Sequence, residues 1–460
     1  MAVADEKTAL TFDKLRRLSG RIAYQIRRQY GSGHFIMLRA HTTVDFVATL
    51  LGTMYSGNVP MPIAPGSPED FVRSIGERVK KSISLGPFEA HRIDRGVELY
   101  DVDSRLPCIV LFTSGTTSAP KGVLISHDNL MHSLPAIAKY LDYRTYPSGA
   151  AVLPMYYSYG LLSHVLALLT QGGFVRLFEN FRHVLNFVRD VNDLGLATFC
   201  GVPSTFVTLA KVARLKRIEM PSVRVVCSAG AAMDLGMYAA IKELFPNGTL
   251  FNNYGLTEAA PRVAYVSERE PRFFSGSCGK PMCGVEVKLI DAETHANVPS
   301  GESGVLAVKG PNITTGYLND EEQTKAAFTS DGYFISRDIA RIEEGFIYIL
   351  GRSDDIFNVG GEKISPDEIE HCLNQLPDVE ASGVIGVPDA LRGQVPAAFL
   401  ILRNAIPRHS ILHQLHEHLR PAAMPVHLYE VNELPTTANG KIQRNKLRAD
   451  AGFVIREIND

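Results

Sequence analysis

The sequence predicts an α/β fold: a large amino-terminal part of parallel α/β subdomains with a small β-barrel, and a hinged carboxy-terminal α+β domain. Three observations lead there. Between residues 108 and 255 short apolar runs alternate with amphipathic stretches, the pattern of βαβ units around a largely parallel sheet. After Gly279 strand-like runs follow one another with no helix between them. At Gly351-Arg352-Ser353-Asp354-Asp355 a short polar break precedes a last segment of mixed helix and strand. A chain of 460 residues exceeds one ordinary core, so two domains are expected, 1–353 and 354–460, with the hinge at Asp354.

The elements are assigned in order. The run Cys108-Ile109-Val110-Leu111-Phe112 is apolar throughout and predicts a buried strand. Further strands are predicted at 151–154, 174–178, 197–200, 224–227 and 249–251, with an amphipathic helix over 233–245. Ligands of such sheets sit in the loops after the strands, so the loops at Thr113, Ala229 and Tyr254 are expected to converge on one crevice. Consecutive strands at 286–291, 304–309, 339–343 and 346–350 predict an antiparallel barrel or small sheet. A helix over 366–376 follows, with Ser365 as its N-cap.

Composition narrows the function. Hydrophobic residues make up 45% and charged residues 21%, with a net charge of −2, so no basic face for nucleic acid or anionic membrane is implied. No apolar run approaches the roughly 18 residues of a membrane span. The start, Met1-Ala2-Val3-Ala4-Asp5-Glu6-Lys7, lacks the basic-then-apolar layout of a signal peptide. Six scattered cysteines resemble the free thiols of a reducing compartment, and a cytoplasmic location is expected. Cys278 and Cys283 have the wrong spacing for a metal site. His409, His413 and His416 fall on one face of a predicted helix, where a solvated polar stripe is the plainer reading.

The most specific signal follows the first strand. Thr113-Ser114-Gly115-Thr116-Thr117-Ser118-Ala119-Pro120-Lys121 joins small hydroxyl and glycine residues to a single lysine. Such a turn presents backbone N–H groups and hydroxyls to an anion, and the lysine adds positive charge. The spacing differs from that of the P-loop NTPases. It resembles the phosphate loop of the acyl-adenylate-forming superfamily, which includes acyl- and aryl-CoA ligases, carrier-protein-loading adenylation domains and beetle luciferases. Ser118 stands where that pattern usually has Gly.

Further segments resemble the family in the right order. In Ser228-Ala229-Gly230-Ala231-Ala232, small residues let an adenine or acyl group lie against the backbone. In Asn252-Asn253-Tyr254-Gly255-Leu256-Thr257-Glu258 the resemblance implies that Tyr254 stacks on adenine and Asn253 hydrogen-bonds its amino group. It further implies that Thr257 touches the α-phosphate and that Glu258 holds Mg²⁺, a cation that takes few carboxylates beside phosphate oxygens. Asp338 matches the ribose-binding carboxylate, although its neighbours Ser336 and Arg337 replace the family's Thr and Gly. Arg352 matches a second nucleotide contact. Lys441, in Pro435-Thr436-Thr437-Ala438-Asn439-Gly440-Lys441, matches the catalytic lysine, whose ammonium offsets repulsion between carboxylate and phosphate. The region 65–106 is short beside the family's usual one, consistent with one trimmed strand–helix unit.

The implied reaction has two halves. A carboxylate attacks the α-phosphorus of Mg·ATP and expels pyrophosphate; a thiol then takes the acyl group from the adenylate. By resemblance the small domain swings between the halves, removing Lys441 and bringing up Gly360-Gly361. Tyr157 and Ser158 are expected along the path from acyl pocket to thiol, with Gly230, Ala232, Pro261 and Arg262 at the pocket. The chain lacks the Phe-Asp pattern of amino-acid-activating domains, so an amino acid substrate is disfavoured. Arg262 is expected to face solvent as a plain surface charge; turned inward, it would pair with a second carboxylate or polar ring group. CoA is the expected acceptor. A carrier protein's phosphopantetheine, an inactive nucleotide-binding relative and a light-emitting oxidase are the alternatives.

Overall fold

The alternation read between residues 108 and 255 folds, from residue 148 on, as a sheet with parallel central strands. Its order is Lys280–Pro281, Ala264–Ser267, Thr249–Tyr254, Val225–Ser228, Thr198–Gly201, Ser148–Ala151, Phe174–Leu177, Val3–Ala4 and Ala9–Leu10. The computed structural model describes residues 1–79, 82–84, 102–113, 121–179, 181, 183–231, 235–436 and 442–459. It separates into two compact units, Met1–Val287 with Val308–Phe334, and Lys288–Ala307 with Ile335–Asp460. The large sheet belongs to the first.

Thr198–Gly201 and Val225–Ser228 are buried along their whole length, as central parallel strands covered on both faces must be. Helix Val184–Asp193 buries Val184, Phe187, Val188 and Val191, the apolar face set by a 3.6-residue period. Phe199 packs between Phe206 and Phe245, with ring centroids 5.8 and 5.5 Å away. Strand Ser148–Ala151 ends three residues before the expected limit, and Pro154 lies beyond it with no N–H to give a ladder. The expected helix over 233–245 is observed as a 3₁₀ turn, Leu235–Met237, and a helix, Tyr238–Leu244.

Pro107–Thr113 departs from expectation. It is no member of the parallel sheet but pairs antiparallel with Lys121–Ser126, in a three-stranded sheet completed by Gly316–Tyr317. The reason is connection length, since only residues 114–120 separate the two strands. A parallel crossover needs a dozen residues or more. A further small sheet sets Phe35–Arg39 parallel to Val59–Ile63 and Ser82–Ser84.

In the second unit the consecutive strands after residue 279 form the small sheet of the two predicted forms. Its order is Glu286–Ile290, Gly304–Lys309, Phe334–Glu343 and Phe346–Arg352. The carboxy-terminal sheet runs Glu362–Ile364, Phe357–Val359, Gly393–Leu402, His427–Val431 and Val454–Glu457, with Val379–Asp389 also paired to Gly393–Leu402. Helix Pro366–Asn374 packs Ile369 and Leu373 into the core on one face of this sheet. Ser365 occupies the N-cap position as expected but makes no side-chain cap hydrogen bond, and its hydroxyl donates to the Leu350 carbonyl at 3.1 Å. His409, His413 and His416 stand exposed on Arg408–His416.

One guanidinium ties together the segments around residues 437–441. Thr436 and Ile442, on either side of that stretch, form an antiparallel bridge. Two residues on, Arg444 donates to Asp355 at 2.8 Å, to Glu370 at 2.9 Å and to Asp367. It thereby joins the segment after the polar break and the helix to the chain that follows Ile442. Burial pushes the Glu370 carboxyl up to about 8, with Asp367 adding to the effect and Arg444 opposing it. Three carboxylates facing one cation leave an excess of negative charge, which a retained proton lowers.

Arg337 occupies a left-handed backbone conformation, with φ of 63°. Its carbonyl accepts from the Ser353 N–H at 2.8 Å and its guanidinium reaches Asp354 at 3.4 Å. A side chain at such a φ costs roughly 1–2 kcal/mol that glycine avoids. Arg337→Gly and Arg337→Ala both remove the pairing, so urea unfolding is expected to find the glycine variant more stable than the alanine variant by about 1 kcal/mol. Glu370 gives a pH signature. Because the folded carboxyl holds its proton above its ordinary value of 4.5, its contribution to stability is complete below pH 4.5 and is lost as pH rises through about 8. Chemical unfolding of Glu370→Gln across that window should have a flatter pH dependence than the parent chain.

Candidate active site

In the first unit the site is built on the two strands that carry the hydroxyl-rich turn. Ser114, Gly115, Thr116 and Thr117 lie outside the described residues, as do Ala232 and Lys441. Thr113 and Lys121 are register partners, so the two ends of the turn are held side by side. The Lys121 ammonium lies 5.3 Å from the centre of the Tyr317 ring. Tyr317 reaches this position because Gly316–Tyr317 pairs with Val123 and Leu124 on the strand that Lys121 begins. Its hydroxyl donates to Glu258 Oε1 at 2.9 Å. Cation, aromatic ring and carboxylate thus form one connected line.

Glu258 is fixed through its main chain as well, its carbonyl accepting from the Thr314 N–H at 2.7 Å. It lies in the single 3₁₀ turn Thr257–Ala259. Thr257 Oγ1 and Ser158 Oγ are 3.2 Å apart, which joins this turn to the Tyr156-Tyr157-Ser158 segment. Gly255 is needed for the close return of the chain, since a Cβ there would run into the Pro261 carbonyl. Gly230 has φ of 89°, a conformation for which only glycine is unstrained, and both it and Ala231 are exposed. Tyr157 packs on Tyr156 with ring centres 4.5 Å apart. Burial, aided by Tyr156, pushes its hydroxyl up to about 12, so at neutral pH it keeps its proton.

Tyr254 is half-buried, but Asn253 is buried and its amide is engaged within the fold. Its Oδ1 accepts from the Tyr140 hydroxyl at 2.7 Å, and its Nδ2 donates to the Ser228 and Phe251 carbonyls at 3.3 and 3.4 Å. Tyr140 is itself stacked on Tyr265 at 3.7 Å. Asn252, on the opposite side of the strand, donates to the Ser277 carbonyl.

The expectation that Arg262 faces solvent is overturned. It is 1% exposed, the largest fully buried side chain described. Its Nη2 donates to Ser163 Oγ at 3.2 Å and its guanidinium lies 5.5 Å from the Tyr159 ring centre. The surface reading failed because it rested on how seldom arginine is buried, not on any local feature.

In the second unit Asp338 and Arg352 are register partners on adjacent strands, and Arg352 Nη1 donates to Asp338 Oδ1 at 3.0 Å. Arg352 Nη2 also reaches Asp354 at 3.2 Å. The residue expected as the hinge therefore accepts from both Arg337 and Arg352. The Asp338 N–H donates to the Ser336 hydroxyl, which replaces the family's threonine and keeps its hydrogen-bonding oxygen. Gly360 and Gly361 have φ of 58° and 96° in the turn after Phe357–Val359, and the Gly361 N–H donates to Asn358 Oδ1. Sequence reasoning missed Tyr317, Arg444, Tyr140 and Ser163. Each acts on a residue distant in the chain, and none carries a local motif.

A magnesium ion suits Glu258 chemically, as a hard oxygen donor. Among the described residues no group of three or more His, Cys, Asp or Glu is placed to hold a metal by protein ligands alone.

Comparison with known proteins completes the picture. Residues 97–318 match the AMP-binding enzyme family and residues 368–441 match the AMP-binding enzyme C-terminal domain. A 2-succinylbenzoate–CoA ligase of Bacillus pumilus is 34% identical, over 77% of this chain and 71% of the relative. A feruloyl-CoA synthase of an Amycolatopsis species is 29% identical, over 98% and 96%. The crystal structure of ATP-bound MatB from Rhodopseudomonas palustris superposes with a TM-score of 0.86 at 25% identity, over 96% of this chain and 94% of that one. These relatives are CoA ligases, which favours CoA over a carrier protein as the acceptor. The chain belongs to the AMP-binding enzyme family as an acyl- or aryl-CoA ligase, activating a carboxylic acid with ATP as the acyl adenylate and passing the acyl group to the CoA thiol.

Proposed function

We propose that the two half-reactions are divided among these residues as follows. Thr113, Ser114, Gly115, Thr116 and Thr117 offer N–H and hydroxyl donors to the ATP phosphates, with Lys121 supplying the charge. Glu258 would hold Mg²⁺ as a hard oxygen ligand, and the ion would supply positive charge at the leaving pyrophosphate. Thr257 donates to the α-phosphate, Tyr254 stacks on the adenine, and Gly230 and Ala231 let the nucleotide lie against the backbone. Asp338 accepts from the ribose hydroxyls, with Arg352 fixing its orientation. The observation that carries this reading is the line from Lys121 through Tyr317 to Glu258, which links a metal-type carboxylate to the cation that ends the hydroxyl-rich segment.

In the first half the substrate carboxylate oxygen attacks the α-phosphorus and the bond to pyrophosphate breaks. Lys441 acts here, its ammonium compensating the charge that accumulates as phosphorus becomes five-coordinate. In the second half the CoA sulfur attacks the acyl carbon, its proton leaves to solvent, and AMP departs with the former carboxylate oxygen. Tyr157 and Ser158 border the path of the thiol. Gly361 is assigned to this half, beside the path of the thiol. Asp354 is assigned as the hinge of the segment 354–460 that carries Lys441.

Lys441→Ala is expected to slow adenylate formation about 100-fold or more, read by pyrophosphate exchange, while thiolysis of preformed adenylate is spared. Equal loss of both halves contradicts the division. Tyr317→Phe leaves the ring over Lys121 but removes the hydrogen bond to Glu258. Its thermal midpoint should stay near that of the parent chain, and the Mg²⁺ concentration for half-maximal exchange should rise about 10-fold.

A further inference from the structure

Arg444 lies three residues past Lys441 in the chain and has every nitrogen of its guanidinium engaged. Nε donates to the Val384 carbonyl at 3.3 Å, Nη1 to Asp355 at 2.8 Å, and Nη2 to Glu370 at 2.9 Å and to Asp367. A lysine, with one nitrogen, cannot reproduce that planar fork. The side chains of Arg444, Asp355 and Glu370 are only 18, 15 and 11% exposed, so solvent screens these contacts weakly. All these residues belong to the second unit. They come from separate segments: the chain after the polar break, helix Pro366–Asn374, strand Val379–Asp389 and the 3₁₀ turn Arg444–Lys446.

The arrangement is a poor device for stability. Three carboxylates share one cation, and a partly buried excess of negative charge opposes folding. What it supplies is geometry, and the geometry leads to two places that the reaction uses. Asp355 directly follows Asp354, the assigned hinge. At the other end Ile442 directly follows Lys441. The Thr436–Ile442 bridge and the bond from the Gln443 N–H to the Pro435 carbonyl, 2.7 Å long, tie together the chain on either side of residues 437–441. Arg444 anchors that junction to Asp355. A lysine that must arrive at phosphorus in every turnover needs such an anchor, since a misplacement of about 1 Å can cost about 100-fold in rate.

We infer that Arg444 is a positioning residue for the first half-reaction: by joining Asp355, beside the hinge, to the chain that follows Lys441, it makes the lysine turn with the hinge and sets its place at the α-phosphate. Arg444 acts through Lys441 without touching ATP or the acid, and it has no part in thiolysis. This goes beyond the division of residues proposed above and rests on its assignment of Lys441 and Asp354.

The test measures the two halves separately. Pyrophosphate exchange is run with the acid that serves the parent chain best in a panel of aliphatic and aryl carboxylic acids, and thiolysis with CoA and the synthetic adenylate of that acid. Arg444→Met is expected to lower kcat of exchange about 10-fold, with KM for ATP and acid, and the rate of thiolysis, within about twofold of the parent. Arg444→Lys, which keeps the charge, should recover part of the loss. Asp355→Ala removes one of the three carboxylates and leaves Arg444 held by the other two, so it should fold even where Arg444→Met does not. It is expected to lower exchange about threefold and to spare thiolysis. Combined with Arg444→Met it should add no further loss, because both substitutions remove one contact.

Unchanged exchange in Arg444→Met, or in Asp355→Ala where Arg444→Met does not fold, overturns the proposal. So does an equal loss in both halves, the mark of an arginine that serves the fold alone. Lys441→Ala is measured alongside. Exchange there as fast as in the parent overturns the assignment of Lys441 and the proposal with it, as does exchange with no acid in the panel. Slow exchange in Lys441→Ala beside unchanged exchange in Arg444→Met overturns the proposal alone.

Discussion

A carboxylate and a nucleotide phosphate are both anions, and the reaction requires them to touch. At about 4 Å two unit charges repel by roughly 4 kcal/mol at the effective dielectric of a protein surface, so such a site must be organised around positive charge and oriented donors. The Lys121–Tyr317–Glu258 line meets that demand in a specific way. The aromatic ring faces the lysine while its hydroxyl holds the carboxylate, so cation and anion are fixed through one side chain and need not pair directly. Glu258 thereby stays oriented as an oxygen donor, and Lys121 is not drawn into a salt bridge that would quench it.

In each unit the chain departs from ordinary local rules within or next to the segments assigned to the site. Gly230 and Gly255 stand where a side chain would be strained or would collide. Arg337 takes a backbone conformation suited to glycine and is held there by Ser353 and Asp354, next to the Asp338–Arg352 pair. Arg262 is buried without a counter-ion. Natural sequences accept such local costs mainly where function requires the geometry.

Much of the architecture was legible in the sequence because its core strands are short, continuous apolar runs. Thr198–Gly201 and Val225–Ser228 fall within one residue of the predicted spans, since burial on both faces keeps charged residues out of them. Periodicity says nothing of which strand pairs with which, and Pro107–Thr113, expected in the parallel sheet, pairs antiparallel with Lys121–Ser126 instead. The nucleotide motifs were readable as a set of ordered residue types. What completes them was not. Tyr317 lies fifty-nine residues from the carboxylate it holds, and Arg444 seventy-four from Glu370. Arg262 was assigned to the surface because composition reports how often arginine is buried and not whether this one is.

The central claim is that a carboxylate oxygen of the substrate forms a bond to the α-phosphorus of ATP. The most direct measurement supplies an acid substrate labelled with ¹⁸O in its carboxyl group, together with ATP, Mg²⁺ and CoA, and follows the label by mass spectrometry. One labelled oxygen in AMP, one retained in the thioester and none in pyrophosphate is the predicted result. Unlabelled AMP, with the label in phosphate or pyrophosphate, would contradict an acyl adenylate and with it the assignment of these residues.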